Sequence, residues 1–268
     1  MTTNIYEAGD RMVINSLKKK LDPCTNILDV NVPGELEKEI TCGVPFLDDG
    51  MGGRGFTPST AALFTGTSGA GKTTLMIQMA DAITGKGNIC LFNTCEESVI
   101  QIRKVTKRLK IQNGFYVGQD HKVPKIIDHC RMLIEQNPGK QLFLVCDSLQ
   151  TLDDCYYDNG YTNSMSAVRC TTMLTDFAKI KCKKVYPIVI LIGQVSKSGD
   201  FSGRNAIKHA VDVHMHLSID QDKKSDTYGL RILEVNKNRF GGAGRCYVLD
   251  MQSEGLSEMG SFDKVDRT

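Results

Sequence analysis

The stretch "LFTGTSGAGKTTLMIQMADAI", Leu63 to Ile83, decides how the 268-residue chain is read. An apolar run enters a glycine-rich turn and an amphipathic run leaves it. Within it, "GTSGAGKT", Gly66 to Thr73, meets every fixed position of the phosphate-loop pattern G-x-x-x-x-G-K-[ST]. Gly66, Gly69 and Gly71 let backbone N–H groups turn inward around phosphate oxygens with no Cβ in the way. Lys72 brings positive charge to the β- and γ-phosphates of ATP, and Thr73 offers a hydroxyl to Mg²⁺. Thr67, Ser68 and Ala70 complete the loop, and Thr74 follows on a helix whose positive dipole end faces the anion. The bland alternative is a glycine-rich strand–helix turn without a ligand. The strand before the loop and the amphipathic helix after it argue for the nucleotide.

Outward from this stretch, apolar runs alternate with helical periodicity, the pattern of βαβ units around a mostly parallel sheet. Strands are expected at Ala61–Phe64 and at "NICLFNT", "GFYVGQ", "QLFLVCD" and "YPIVILIGQ". Helices are expected from Lys72 to Ile83, over Val99–Leu109 and Val123–Glu135, and within Ser164–Lys183. "VDVHMHLSI", "YGLRILEVN" and "RCYVLDM" alternate apolar and polar residues, as antiparallel edge strands do. Before Ile40 the chain is polar, with "NSLKKKLDP" reading as a short helix stopped by Pro23. The expected division is therefore an arm or packing element over 1–40 and a single α/β core over 41–268, with helices on both faces of the sheet.

Hydrolysis needs more than a cradle. "QLFLVCDS" places Asp147 at the carboxyl end of an apolar strand, where open α/β sheets bind ligands and where a carboxylate can hold Mg²⁺. "FNTCEES" ends another strand with Glu96 and Glu97 adjacent, and one of them would polarise an attacking water. A glutamate pair before a helix is, on its own, a dipole partner. Its place one strand after the phosphate loop favours the catalytic role.

Together these residues resemble the RecA-like ATPases, most closely the RadA branch. The resemblance covers roughly Ile40 to Met259 and rests on "CGVPFLDDGMGGRGF", "GTSGAGKTT", "CEES", "DSLQ", "GQVSK" and above all "KNRFG", Lys237 to Gly241. It implies that Glu96 is the catalytic glutamate and that Gln194 reports the γ-phosphate to the loop after it. It implies too that Lys237 and Arg239 are fingers reaching the nucleotide of a neighbouring subunit, in a hexameric ring or filament of identical chains. Their two-residue spacing on a strand independently puts both side chains on one face; without the family, a solvated basic strand end would be preferred. RadA proteins usually carry a four-cysteine zinc element and a Lon-like domain. Neither is expected here, since no C-x-x-C occurs and the chain stops soon after its last strand. "GQVSK" stands where RadA tends to have "GHVTK", which is closer to RecA and to DnaB-type helicases. The minimal core looks like a phage or mobile-element recombination protein in the role of UvsX.

Single-stranded DNA is the expected partner. The net charge of +2 and an isoelectric point of about 8.0 fall short of a dedicated nucleic-acid domain, whose pI usually exceeds ~9, so DNA contact falls to loops. In "VSKSGDFSGRNAIKH", Lys197, Arg204 and Lys208 alternate with small residues and suit a phosphate backbone. In "TLDDCYYDNGYTNS", Tyr156, Tyr157 and Tyr161 would stack on bases, but the acidic residues would repel phosphates. Competing readings are a KaiC-like regulatory ATPase that touches no DNA and a DnaB-like helicase core. No apolar run approaches the ~20 residues of a membrane span, and no secretory signal opens the chain. A cytoplasmic location is therefore expected. The ten cysteines lack paired ligand spacing and read as small core residues in a reducing compartment.

Overall fold

The computed structural model describes residues 25–157, 160–163, 165–194 and 204–264, without the side chain of Arg204. The N-terminal helix expected at "NSLKKKLDP" and the loop residue Lys197 lie outside the described residues.

The strands are β1 (Ala61–Gly66), β2 (Ile89–Thr94), β3 (Tyr116–Gly118), β4 (Leu142–Asp147), β5 (Ile188–Gln194), β6 (Val213–Ile219), β7 (Arg231–Asn238), β8 (Arg245–Gln252) and β9 (Gly255–Asp263). They form one nine-stranded sheet in the order β3-β2-β4-β5-β1-β6-β7-β8-β9. From β3 to β6 every pairing is parallel, and from β6 to β9 every pairing is antiparallel. β1, β2 and β4 are buried at every position, as parallel strands covered on both faces must be.

Helices cover both faces. On one, α1 (Pro45–Gly50), α2 (Lys72–Gly85) and α3 (Val99–Arg108) bury Phe46, Leu75, Met79 and Ile102 against Phe64, Phe92, Phe143 and Ile190. On the other, α4 (Val123–Gln136), α5 (Ser166–Ala178) and α6 (Arg204–Ala210) bury Ile126, Leu174 and Ile207 against Leu63, Leu144 and Leu191. Alternate residues of each strand thus serve opposite cores. Ser98 starts α3 with a capping box closed by Gln101, which fixes the turn carrying Glu96 and Glu97 just before it.

The structure departs from the sequence expectations at four places. "VDVHMHLSI" is not an antiparallel edge strand: β6 runs parallel to β1 and only its other side pairs antiparallel with β7. The Thr65 hydroxyl lies 2.8 Å from His214 Nε2 and 2.9 Å from His216 Nδ1 across that parallel pair. The segment after Gln194 carries α6 as well as loop. α1 and β9 form where the pattern predicts no element. The helix expected within Ser164–Lys183 forms as expected, over Ser166–Ala178, and an antiparallel bridge between Cys182 and Val185 follows it.

Candidate nucleotide site

The phosphate loop leaves the carboxyl end of β1. Gly66 is required by close approach: a Cβ there would sit 2.2 Å from the Leu217 carbonyl oxygen on β6. Gly69 and Gly71 have φ of 76° and 104°, the left-handed region that glycine enters at no steric cost. Gly71 is the N-cap of α2, so the loop's N–H groups and the positive helix end converge on one space. Lys72 Nζ donates to the carbonyls of Gly66 and Thr67, each at 3.0 Å. Burial lowers the Lys72 pKa, opposed by the charges of Asp147 and Glu96.

Three further strand ends meet this loop. Gly66 pairs with Gln194, Asp147 with Ile192, and Thr94 with Asp147, so the ends of β1, β5, β4 and β2 stand side by side. Thr73 Oγ1 donates to Asp147 Oδ2 at 2.7 Å. Burial pushes the Asp147 carboxyl up to about 6; the Thr73 hydrogen bond opposes the shift, and the charges of Glu96 and Glu97 add to it. Gln194 Nε2 donates to Glu96 Oε1, while the Glu97 carbonyl accepts from Thr94 Oγ1 at 2.7 Å. Of the two adjacent glutamates, Glu96 is the one bonded to Gln194. A cleft of about 460 Å³ opens between these groups, lined by Ser68, Lys72, Thr73, Glu96, Asp147 and Gln194 among others. The hydroxyl of Thr73 and the carboxylate of Asp147 are hard oxygen donors side by side, a set that fits Mg²⁺ beside a phosphate.

The same cleft is lined by Arg108, Arg231 and Met251, which the sequence did not single out. Arg108, the last residue of α3, donates to the Ser253 carbonyl at 2.9 Å and to Thr74 Oγ1 at 3.3 Å. Gln78 on α2 holds Leu256 through both its backbone groups, at 2.9 and 3.2 Å. The β8–β9 turn is thereby clamped against α2 and α3. Arg231 begins β7 at the cleft end of the sheet, and its Nε is buried with no hydrogen-bond partner among the described residues.

Lys237 and Arg239 stand elsewhere. Register places Gly66 opposite Leu217, Leu217 opposite Leu233, and Lys237 opposite His214. The eight steps of extended chain from Arg231 to Arg239, just past the end of β7, span ~27 Å at the usual rise, so Arg239 lies at the far end of the sheet from its own chain's cleft. Its Nη1 pairs with Asp212 Oδ1 at 3.1 Å, and Asp212 Oδ2 accepts the Ala61 N–H at 3.0 Å, where β1 begins. Lys237 Nζ donates to the carbonyls of Lys208, His209 and Val211. Burial lowers its pKa, with the Arg239 charge acting in the same direction and Asp212 opposing. Lys208 is on α6, beside a cavity of about 670 Å³ whose walls include His209, His214, His216 and Lys237.

The tyrosine segment is packed. Tyr156 and Tyr157 meet edge-on at 4.9 Å, Tyr157 and Tyr161 at 5.5 Å, and the Arg169 guanidinium lies 4.5 Å above the Tyr156 ring. Arg169 also pairs with Asp154, so part of the segment's negative charge is answered within the chain.

No protein-family model matches the chain. Over 227 residues, 84% of this chain and 47% of the relative, it is 33% identical to DNA repair protein RadA of Aquifex aeolicus. It is 32% identical to DNA repair protein RadA of Bacillus subtilis over 212 residues, 77% of this chain and 42% of that one. The chain thus spans about half the length of the curated relatives it matches. Among solved structures, an isolated ATPase domain superposes with a TM-score of 0.68 at 14% identity, covering 96% of this chain and all of that one. A DnaB-like replicative helicase gives 0.66 at 16% identity, covering 91% and 65%. Strand order, helices on both faces and these likenesses together make this a RadA-like chain of the RecA fold.

Proposed function

We propose that the chain binds ATP with Mg²⁺ in the cleft at the end of β1, hydrolyses it at junctions between identical subunits, and couples that hydrolysis to single-stranded DNA in recombination or repair. The observation that carries this reading is the convergence of Lys72, Thr73, Asp147, Glu96 and Gln194, from four separate strand ends, on one cleft. The relatives named as RadA support the repair context.

The chain's own residues supply most of the chemistry. Loop N–H groups and the start of α2 hold the phosphates. Lys72, bonded to the carbonyls of Gly66 and Thr67, would turn to the γ-phosphate and exchange two neutral acceptors for charged oxygens. Mg²⁺, held at Thr73 and Asp147, would neutralise charge building on the phosphates. Glu96 accepts a proton from the attacking water. Gln194 exchanges its bond to Glu96 for one to the γ-phosphate, and so releases Glu96 when nucleotide is present. Arg108 and Arg231 also line the cleft, and the resemblance to RadA assigns the cation opposite the transferring group to Arg239. Arg239 lies too far from its own cleft to supply it, which favours delivery to the neighbour.

The deciding experiment measures ATP turnover with and without single-stranded DNA on size-separated fractions. Turnover confined to oligomers and stimulated by DNA supports the proposal. Turnover indifferent to DNA would favour a KaiC-like regulatory ATPase.

A further inference from the structure

Lys237 does not resemble a side chain poised to leave its own subunit. An ammonium has three N–H donors, and here three carbonyls receive them: Val211 at 2.6 Å, Lys208 at 2.8 Å and His209 at 3.3 Å. These oxygens belong to the end of α6 and the turn into β6. The last carbonyls of a helix lack partners within it and form its negative end. α6 has seven residues, too few to hold its place by helix formation alone. Ile207 and Val211, both fully buried, anchor it to the sheet, and Lys237 fastens its end to β7. Arg239 differs: its guanidinium is half exposed and touches the same turn through Asp212 and the His209 carbonyl.

We propose that Lys237 is a positioning residue, a latch joining the end of α6 to β7, so that displacement of α6 by nucleic acid is carried to Arg239. This rests on the reading that DNA contacts the α6 side of the molecule and that Arg239 acts at a neighbour's nucleotide. The path is short. Lys208, half-buried on α6, gives its carbonyl to Lys237, and Arg239 follows two residues after Lys237, just past the end of β7. Asp212 ties the turn to the start of β1, which gives the latch a fixed base.

The test uses the full chain and two readouts, hydrogen exchange of amides 205–212 without DNA, and steady-state ATP kinetics with and without an oligo-dT strand. Lys237→Met keeps an unbranched apolar stem and removes all three donors. Exchange over 205–212 should accelerate about tenfold, as expected for local opening. DNA stimulation of kcat should fall about tenfold with KM for ATP changed less than about twofold, the signature of an interaction made only in the transition state. Lys237→Arg, which keeps charge and donors, should recover part of the protection and part of the stimulation. Arg239→Ala should lose turnover and leave most of the protection. Unchanged exchange with lost turnover in Lys237→Met would overturn the proposal, since Lys237 would then act at the nucleotide directly. Faster exchange with normal stimulation would overturn it too, since the latch would transmit nothing. Full turnover in Arg239→Ala would instead defeat the composite-site reading, and the exchange measurement would still decide the latch.

Discussion

Gln194 Nε2 donates to Glu96 Oε1, joining the last residue of β5 to the turn after β2. The bond spans two strand ends that the sequence separates by about a hundred positions. It connects the group proposed to activate water with the residue that leads into the segment proposed to contact DNA. Gln194→Ala should therefore bind ATP with near-normal affinity and lose stimulation by single-stranded DNA. Parallel titrations of a fluorescent ATP analogue and of DNA-dependent turnover check this. Full stimulation in the variant would remove Gln194 from the coupling route.

Lys72→Ala should weaken ATP binding. Lys72 carries the charge nearest the phosphates, and a charge-assisted contact of this kind is worth about 1.5–3 kcal/mol, or roughly tenfold to a hundredfold in affinity. Calorimetric titration with ATP and Mg²⁺ measures the loss. An unaltered dissociation constant would contradict the phosphate-loop assignment.

Glu96→Gln should bind ATP yet hydrolyse it slowly, by the ~10²–10⁴-fold typical of a general base. Glu97→Gln should stay close to wild type, because Glu96 is the member of the pair bonded to Gln194. Single-turnover rates at saturating ATP distinguish the two. A crippled Glu97→Gln beside a normal Glu96→Gln would move the base by one position.

Gly66→Ala probes the fold beneath the site. The added Cβ would meet the Leu217 carbonyl oxygen at 2.2 Å, a backbone atom of a central strand that cannot swing aside. Overpacking of this kind costs about 1–3 kcal/mol, so thermal unfolding without nucleotide should shift down by several degrees. An unchanged midpoint would mean that β1 and β6 separate more easily than their pairing implies.

Changing Lys197, Arg204 and Lys208 together to alanine should weaken single-strand binding and flatten its salt dependence, by ~0.7 in log–log slope for each phosphate contact removed. Basal turnover without DNA should persist. An identical slope would assign the DNA contact to other residues, with the "KKK" of the N-terminal segment next in line.

What the sequence discloses here is what local pattern encodes. The loop "GTSGAGKT" is contiguous, and Asp147 and Glu96 each end an apolar run, so strand, turn and charged residue come as one signal. The direction of β6 is not legible in this way, because alternation reports which face is buried but not which way a neighbour runs. α6 follows a Gly- and Ser-rich run and has little more than Ile207 and Val211 for a periodic stripe. β9, "GLSEMGSFD", contains few β-forming residues and is exposed along much of its length, as an outer strand is. Arg108 and Arg231 reach the cleft only because α3 and β7 are brought there by strand order, which no local window contains. The spacing of Lys237 and Arg239 does put both on one face, where both meet the turn at 208–212.

The proposed active site is shared between two subunits. Arg239→Ala should bind ATP and be nearly inactive, since a cation acting on the transferring phosphoryl group is worth ~10³–10⁵ in rate. Glu96→Gln is inactive for a different reason, at the other side of the same junction. When the two variants are mixed under conditions where subunits exchange, some junctions regain an intact Glu96 facing an intact Arg239. ATP turnover by the mixture, with co-assembly verified by mass, should then rise well above that of either variant alone. Turnover that stays at the level of the separate variants despite verified co-assembly would contradict the shared site and return Arg239 to a packing role beside Asp212.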